Sequence, residues 1–180
     1  MGLNKAAVYI VNDFRTAARL VYIAKSKGMN RVVITIDMGG FDQHSSLLMD
    51  HGSNMRGVSL GIDAFLRAME EENLLDNVVV AGVSEFSRST GANGNGTDHA
   101  WGGALFVAGA VNSGIYGKMP DLRSGSDDDF SRQGRLIPTI SYTQYYATLL
   151  KWFGATDDEI LDILPELKNF QKRDIGFLKS

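Results

Sequence analysis

The chain has 180 residues, of which 44% are hydrophobic and 22% charged, and this composition is typical of one globular domain. A formal net charge of −3 provides no broad basic field, and no stretch approaches the ~18 consecutive apolar residues of a membrane span, so neither nucleic acid nor a membrane crossing is expected. The absence of cysteine excludes disulfides and thiolate ligands, so any bound metal would need oxygen and imidazole ligands.

The first half of the chain predicts helices that alternate with buried strands. Asp13 is a candidate N-cap for a helix that ends near Gly28. The run Arg31–Asp37 (RVVITID) is rich in β-branched residues and lacks polar alternation, which is typical of a strand covered on both faces. Residues 53–71 then predict a helix, and Asn77–Val83 (NVVVAGV) predicts the next buried strand. Because a crossover of this length favours parallel pairing, we predict an α/β fold with a largely parallel sheet flanked by helices.

The second half of the chain predicts loops followed by helices. Residues 84–103 are rich in Gly, Ser and Asn and predict a loop, whereas Leu105–Val111 predicts a short strand. Residues 112–138 look irregular, and their acidic tract at 126–129 favours a solvated loop because it lacks the ligand spacing of a calcium loop. Capping boxes at 141–144 and 156–159 predict two helices. We find no domain boundary, so residues 1–180 are predicted to form a single domain.

Two of the three histidines lie beside acidic residues in Gly-rich segments. DMGGFDQH at positions 37–44 contains Asp42 and His44, and the later TDH contains Asp98 and His99. Carboxylate oxygens and neutral imidazoles bind divalent cations, and Gly96 gives the second segment the freedom to turn both side chains inward. The sequence therefore predicts a site for zinc, manganese, magnesium or calcium. A structural role is favoured for the third histidine, His51.

The segment SEFSR at positions 84–88 adds further candidates. Asp37 and Glu85 each follow a predicted parallel strand, and ligands collect at that edge of such sheets. Glu85 is a candidate ligand or base and Arg88 a candidate clamp for an anion, although the two residues could equally form a surface ion pair. Four nearby hydroxyl side chains could act as nucleophiles if a metal or a base activated them, but none of them lies in a Gly-x-Ser-x-Gly elbow. They belong to Ser84, Ser87, Ser89 and Thr97.

Taken together, these segments resemble a large bacterial protein family. The shared segments, in chain order, are DMGGFDQH, VSEFSRS, NGNGTDHAWGG, IYGKMPDL and GRLIPTISYTQYYATLLKWFG. They resemble the C-terminal part of the family catalogued as domain of unknown function 1501, which looks like a distant branch of the alkaline phosphatase and sulfatase superfamily. That superfamily comprises α/β sandwiches with metal ligands at strand ends. The resemblance implies ligands at Asp37, Asp42 and His44, then at Asp98 and His99, with Glu85 as a further candidate.

The chain departs from this family in length and in one motif. Relatives are generally more than twice as long and often begin with an export signal, which suggests an exported location, but MGLNKAAVYIVNDF lacks the layout of a secretory signal. The front part of those relatives supplies a metal-binding Asp and the Ser/Thr nucleophile. Relatives also carry a further His soon after the Asp-His pair, where this chain has Ala104 and Leu105.

Two functions follow as hypotheses. The first is a metal-dependent hydrolase of phosphate or sulfate esters of small molecules or carbohydrates, in which the metal activates water or a hydroxyl and Arg88 neutralises the ester's charge. The second is a non-catalytic metal-binding or scaffold module that keeps the fold without the nucleophile. If the chain is part of a longer folding unit, its exposed sheet edge would pair with the missing N-terminal segment or with a second copy.

Overall fold

The computed structural model describes residues 2–179. None of the helices in that range has the length and apolar character needed to cross a membrane. Short 3-10 helices lie at Leu75–Asn77 and Pro165–Asn169. The other elements, in chain order, are α1 (Lys5–Ser26), α2 (Leu47–Glu71), β1 (Val79–Gly82), β2 (Ser87–Ala92), β3 (Thr97–Ala100), β4 (Phe106–Gly109), α3 (Tyr142–Phe153) and α4 (Asp157–Ile163).

Helices α1 and α2 lie side by side and run in the same direction. Near the start of both helices, Asn4 Nδ2 donates to Asn54 Oδ1 at 2.7 Å, and further along both, the ring of Phe14 contacts Gly61. The chain between them must therefore return along the whole length of α1. The buried core between the helices consists of Ile10, Phe14, Ala17, Phe65 and Met69.

The start of α1 differs from the prediction, whereas the end of α2 matches it. The side chain of Asn4 accepts a hydrogen bond from Ala7 N at 2.9 Å and caps α1. Asp13, the predicted N-cap, lies inside this helix, so that boundary was wrong. Asn and Asp are equally good N-cap residues, so the sequence does not show which of the two caps the helix, and the structure uses the earlier one, Asn4. Helix α2 ends at Glu71, as predicted, but it begins at Leu47, six residues before the predicted start at residue 53.

The predicted parallel sheet is wrong. The predicted strand Arg31–Asp37 joins no sheet in the described residues: Ile34 and Ile36 pack against the α1–α2 core, and Val33 is 76% exposed. The second predicted strand is present as β1, but it pairs antiparallel with β4. Residues 2–179 thus contain two small antiparallel sheets and not the predicted α/β sandwich. The physical reason is that β1 finds its partner in β4, while Ile34 and Ile36 of the earlier segment pack on helices instead of on a neighbouring strand.

The predicted loop at residues 84–103 folds largely into a β-hairpin. Strands β2 and β3 place Arg88 opposite His99, and the pairing register shifts between Arg88 and Ala92. Asn93 N donates to Gly96 O at 3.0 Å and closes the turn between the strands. The abundant Gly, Ser and Asn correctly indicated a turn, but composition does not reveal that the residues on either side of it pair with each other.

The C-terminal helices begin and end as predicted. Ser141 and Thr156 cap α3 and α4, and the side chains of Gln144 and Glu159 complete both capping boxes. Helix α3 ends at Gly154, whose φ of 100° is left-handed and suits glycine. The predicted strand at 105–111 is confirmed as β4, and residues 112–138 are largely irregular, as predicted.

Substitutions at two glycines of α2 would test how closely α1 and α2 approach each other. A Cβ on Gly57 would lie 2.6 Å from the Cα of Ala7, whereas a Cβ on Gly52 would meet no atom within 4 Å. We expect Gly57→Ala to lower the free energy of unfolding by about 1–3 kcal/mol, because the helices must separate. Gly52→Ala is the matched control, with an expected gain of about 0.5–1 kcal/mol from helix propensity. Urea denaturation measures both, and equal effects would contradict the close packing.

Candidate metal centre

The candidate site forms where the turn at residues 42–46 contacts the β2–β3 hairpin. Thr97 N donates to Gln43 O and Leu47 N donates to Asn95 O, each at 3.1 Å. Gly96 is buried between these hydrogen bonds, and a Cβ there would lie 2.2 Å from the carbonyl carbon of His44. The φ angle of Gly96 is not in the left-handed region. Glycine is therefore needed here because a side chain would not fit, and not for the turning freedom predicted from sequence.

The same turn is held against helix α2 on its other side. Gly40 has a φ of 90°, which favours glycine, and its carbonyl accepts a hydrogen bond from Asn54 Nδ2 at 2.7 Å. Asn54 is only 2% exposed, so this contact is internal. Gln43 is also buried, and its Oε1 lies 2.9 Å from His51 Nδ1. With Gln43 directed inward, its neighbours Asp42 and His44 remain at the surface.

Three predicted ligands, Asp42, His44 and His99, converge at this surface. Nε2 of His99 lies 2.7 Å from Asp42 Oδ1, Nε2 of His44 lies 3.0 Å from the same oxygen, and the two nitrogens are 3.2 Å apart. Ligand atoms around one tetrahedral zinc ion are ~3.3 Å apart, given bond lengths of about 2.0–2.2 Å. The two imidazole nitrogens already have this separation, and the carboxylate oxygen would need to move by only about 0.5 Å. The donor set therefore fits a divalent cation.

The centre also leaves room for a further ligand. The side chains of Asp42, His44 and His99 are about half exposed, so the converging atoms face solvent on one side. Three protein ligands with an open position are typical of catalytic zinc sites, whereas structural zinc sites are usually closed by four protein ligands. The exposed side of this centre would admit a water molecule or a small anion.

Arg88 holds the carboxylate of Asp42 in place. Its Nη1 donates to Asp42 Oδ1 at 2.8 Å and its Nε donates to Thr97 Oγ1 at 2.9 Å. The hydrogen bond from His99, followed by that from Arg88, lowers the pKa of Asp42 below its ordinary value, so this ligand stays anionic. Arg88 is thus placed to position a ligand, while its role as an anion clamp stays a prediction.

Asp98 lies behind the ring of His44. Its Oδ1 is 3.6 Å from His44 Nδ1 and accepts a hydrogen bond from Asn93 Nδ2 at 2.6 Å. A carboxylate that accepts a hydrogen bond from the distal nitrogen of a metal-binding histidine fixes the tautomer and the orientation of the ring, and Asp98 lies just beyond that distance. The structure therefore brings Asp98 to the site in a supporting position, outside the group of three converging donors.

Phe86 and Arg135 support His99, and sequence reasoning missed both. The rings of Phe86 and His99 are stacked, with centroids 4.0 Å apart and planes 6° apart. Arg135 Nε donates to the carbonyl oxygen of His99 at 3.1 Å, and its Nη2 lies 4.0 Å from Asp98. The alternation of Phe86 and Arg88 along a strand could have indicated a shared face. Arg135 comes from a distant loop, and no sequence signal links it to the site.

Asp37 and Glu85 do not join the three donors. Both residues are exposed, and within residues 2–179 neither makes a hydrogen bond or an ion pair. The parallel strand ends that were expected to bring them to the site are absent from the described residues. His51 also lies outside the donor group, where it contacts Gln43 and the edge of Phe41.

The four candidate hydroxyls are all engaged in hydrogen bonds inside the protein. The side chains of Ser84, Ser87 and Ser89 donate to carbonyl oxygens, and that of Thr97 accepts from Arg88. A hydroxyl acting as a nucleophile would have to give up such a contact. The geometry therefore offers no free hydroxyl among these four beside the converging donors.

The loop that supplies Arg135 is organised around Asp129. Burial by itself raises the pKa of this carboxyl, but backbone N–H groups donate to it and lower its pKa to about 2. Asp129 is 5% exposed, so the prediction of a solvated loop is wrong for this residue. The donating groups belong to Gly125, Ser131, Gly134 and Arg135.

These features define an exposed centre of two histidines and one aspartate, supported by a second set of polar contacts. Residues 16–164 match the sequence profile of a protein family described as "Protein of unknown function (DUF1501)". The chain belongs to this family, as the sequence resemblance predicted. No curated protein and no solved structure matches the chain.

Gly96 provides a test of how the site is assembled. We expect Gly96→Ala to weaken zinc binding by ~10-fold or more, because its Cβ would push the His44 backbone away from the hairpin. Isothermal titration calorimetry measures the affinity. Gly39→Ala is the matched control, since a Cβ at Gly39 meets no atom within 4 Å. Unchanged binding by the Gly96 variant would contradict the assembly described here.

Asp129 predicts a pH-dependent contribution to stability. Because its pKa in the folded protein is about 2, below the ordinary value of 3.8, its contribution is complete above pH ~4 and is lost as the pH falls towards 2. We expect Asp129→Asn to lower the melting temperature at pH 7, and the deficit to shrink across that acidic range. Circular dichroism melts measure this, with the exposed Asp127→Asn as control. A deficit that is independent of pH would argue against the buried carboxylate.

Proposed function

We propose that this protein binds a zinc-type divalent cation through Asp42, His44 and His99 and hydrolyses a phosphate or sulfate ester. The observation that carries the proposal is the convergence of one carboxylate oxygen and two imidazole nitrogens from separate parts of the chain. Imidazole ligands favour zinc over magnesium, calcium and manganese, which prefer oxygen ligands. A divalent cation held there would supply Lewis acidity towards an ester oxygen.

The protein's own residues would keep the site ready for reaction. Arg88 keeps Asp42 anionic and fixed, Phe86 holds the plane of the His99 ring, and Asp98 faces the distal nitrogen of His44. Such preorganisation matters because groups that are already in place do not have to reorganise as charge develops. Arg135 is not bonded to Asp42, and it contacts His99 and Asp98, so its charge would support the binding of a negatively charged ester.

Water is the nucleophile that fits the arrangement best. The candidate hydroxyls are occupied by internal hydrogen bonds, whereas one side of the donor group faces solvent. In the proposed reaction, a bond forms between the water oxygen and the phosphorus or sulfur atom. The bond to the ester oxygen breaks, and the alcohol leaves with a proton that came from the water.

The alternative function is a non-catalytic metal-binding module. One observation favours it: the donors lie on a turn and on a hairpin, so a metal ion would add a further link between these two segments. In that case the ion would stabilise the fold without promoting hydrolysis. The two functions differ in turnover, while both require the same three ligands.

We also propose a distant relationship between this family and the alkaline phosphatases and sulfatases. The support is the order of the donors along the chain, in which an Asp-x-His segment is followed by an Asp-His pair. Both segments contribute to one centre in this protein. The shared feature is the pattern of ligands, because the two small antiparallel sheets of the described residues do not form an α/β sandwich.

Graded losses of metal affinity would test the ligand assignment. We expect His44→Ala and His99→Ala to weaken zinc binding by more than ~100-fold, since each removes a ligand. Asp98→Asn should cost only about 10–100-fold, because this residue supports a ligand from behind. His51→Ala is the matched control, as it removes a histidine outside the donor group. Equal affinities in all four variants, measured by calorimetry, would refute the site.

The reaction itself is tested with zinc-loaded protein and two substrates, p-nitrophenyl phosphate and p-nitrophenyl sulfate. We expect release of p-nitrophenol that stops when a chelator is added and is lost in His99→Ala. If the chelator lowers the melting temperature and neither substrate is hydrolysed, the non-catalytic module is the correct function.

A further inference from the structure

Two exposed aromatic rings lie beside the candidate metal centre. Trp101 is 58% exposed and Phe130 is 65% exposed, and their ring centroids are 4.7 Å apart at an angle of 53°. Large aromatic side chains dominate the energetics of binding sites, and a pair of them left at the surface is a common mark of one. Neither the ligands nor their supporting contacts involve these two rings.

The position of Trp101 follows from that of His99. Trp101 comes two positions after His99, just past the end of β3, and both residues are exposed while the intervening Ala100 is buried. The alternation of exposure seen in β3 continues to this residue, and two positions of extended chain span ~7 Å. Trp101 therefore lies near the donor group.

The backbone around both rings is held in place. Gly102 N donates to Leu136 O at 3.0 Å, and Ser87 Oγ donates to Gly102 O at 2.7 Å, which fixes the residue after Trp101. Phe130 N donates to Arg135 O at 3.0 Å. The loop that brings Phe130 to Trp101 is therefore the same loop that brings Arg135 to His99, so the rings and the centre share one support.

We propose that Trp101 and Phe130 form a stacking subsite for the ring of the ester's organic group, either an aryl ring or a pyranose. This inference rests on the proposed function and adds the substrate class to it. A ring offers a broad face of π-electrons or C–H groups to an indole, which a short linear chain cannot match. Arg135, beside the subsite, would meet the ester's charge or a ring hydroxyl.

The test uses the two tryptophans as internal probes. The chain contains only Trp101 and Trp152, so their indole N–H signals can be followed separately by NMR in the intact protein. The probes are phenyl phosphate, glucose 6-phosphate and the linear glycerol 3-phosphate, each added with zinc and with chelator. We expect a ring-bearing probe to shift the Trp101 signal, with Trp152, which lies in α3, as the unperturbed reference.

Substitutions then measure the contribution of the rings. We expect Trp101→Ala and Phe130→Ala to lower the affinity for the ring-bearing probe, relative to that for glycerol 3-phosphate, by about 5–10-fold. Ile115→Ala is the control, since this residue is 88% exposed and lies in another loop. A response to phenyl phosphate alone identifies an aryl ester, and a response to glucose 6-phosphate alone identifies a carbohydrate ester.

The outcomes separate the subsite from the hydrolase. The subsite is overturned if neither ring-bearing probe shifts the Trp101 signal, or if glycerol 3-phosphate shifts it as strongly as they do. This holds even if esters are hydrolysed. A selective Trp101 shift without turnover of any ester supports the ring-binding site and overturns the hydrolase. Equal shifts of Trp101 and Trp152 also overturn the subsite, because they indicate a general response of the protein.

Discussion

The contact between the turn at 42–46 and the β2–β3 hairpin is the constraint on which the site depends. It consists of two backbone hydrogen bonds that flank Gly96, where an added Cβ would collide with the carbonyl group of His44. Backbone atoms cannot change rotamer, so this close approach fixes the separation of the two segments more strictly than side-chain packing would. His44 lies on one of the two segments joined by this contact and His99 on the other. The contact therefore brings their ring nitrogens within 3.2 Å of each other.

Around this contact, the polar groups are arranged in two layers. The inner layer consists of the converging oxygen and nitrogens, and the outer one fixes each of them through Arg88, Asp98 or the ring of Phe86. Without an ion, two imidazole nitrogens and a guanidinium all approach one carboxylate oxygen, Asp42 Oδ1. A divalent cation held by these donors would replace the contacts between Asp42 and the two imidazoles, while the hydrogen bond from Arg88 would remain to hold the carboxylate.

The site and the fold differed in how far they could be predicted. Asp42, His44 and His99 were identified because carboxylate and imidazole side chains have a defined metal-binding chemistry, and because two Gly-rich segments each carry both. The route by which they meet was not predicted. Parallel strand ends were expected to bring the segments together, whereas a hairpin with Arg88 opposite His99 does so. Asp37, which the strand-end argument had included, lies outside the donor group for the same reason.

By itself, the sequence determined the features that depend on neighbours along the chain. These are the capping boxes at Ser141 and Thr156, the end of α3 at Gly154, the chemistry of the candidate ligands and membership of the family. Tertiary structure alone decided the pairing of β1 with β4, the burial of Asp129 and the place of Arg135 beside His99. Local hydrogen bonds are encoded by residues a few positions apart, whereas pairing and burial depend on which distant surfaces compete for the same partner.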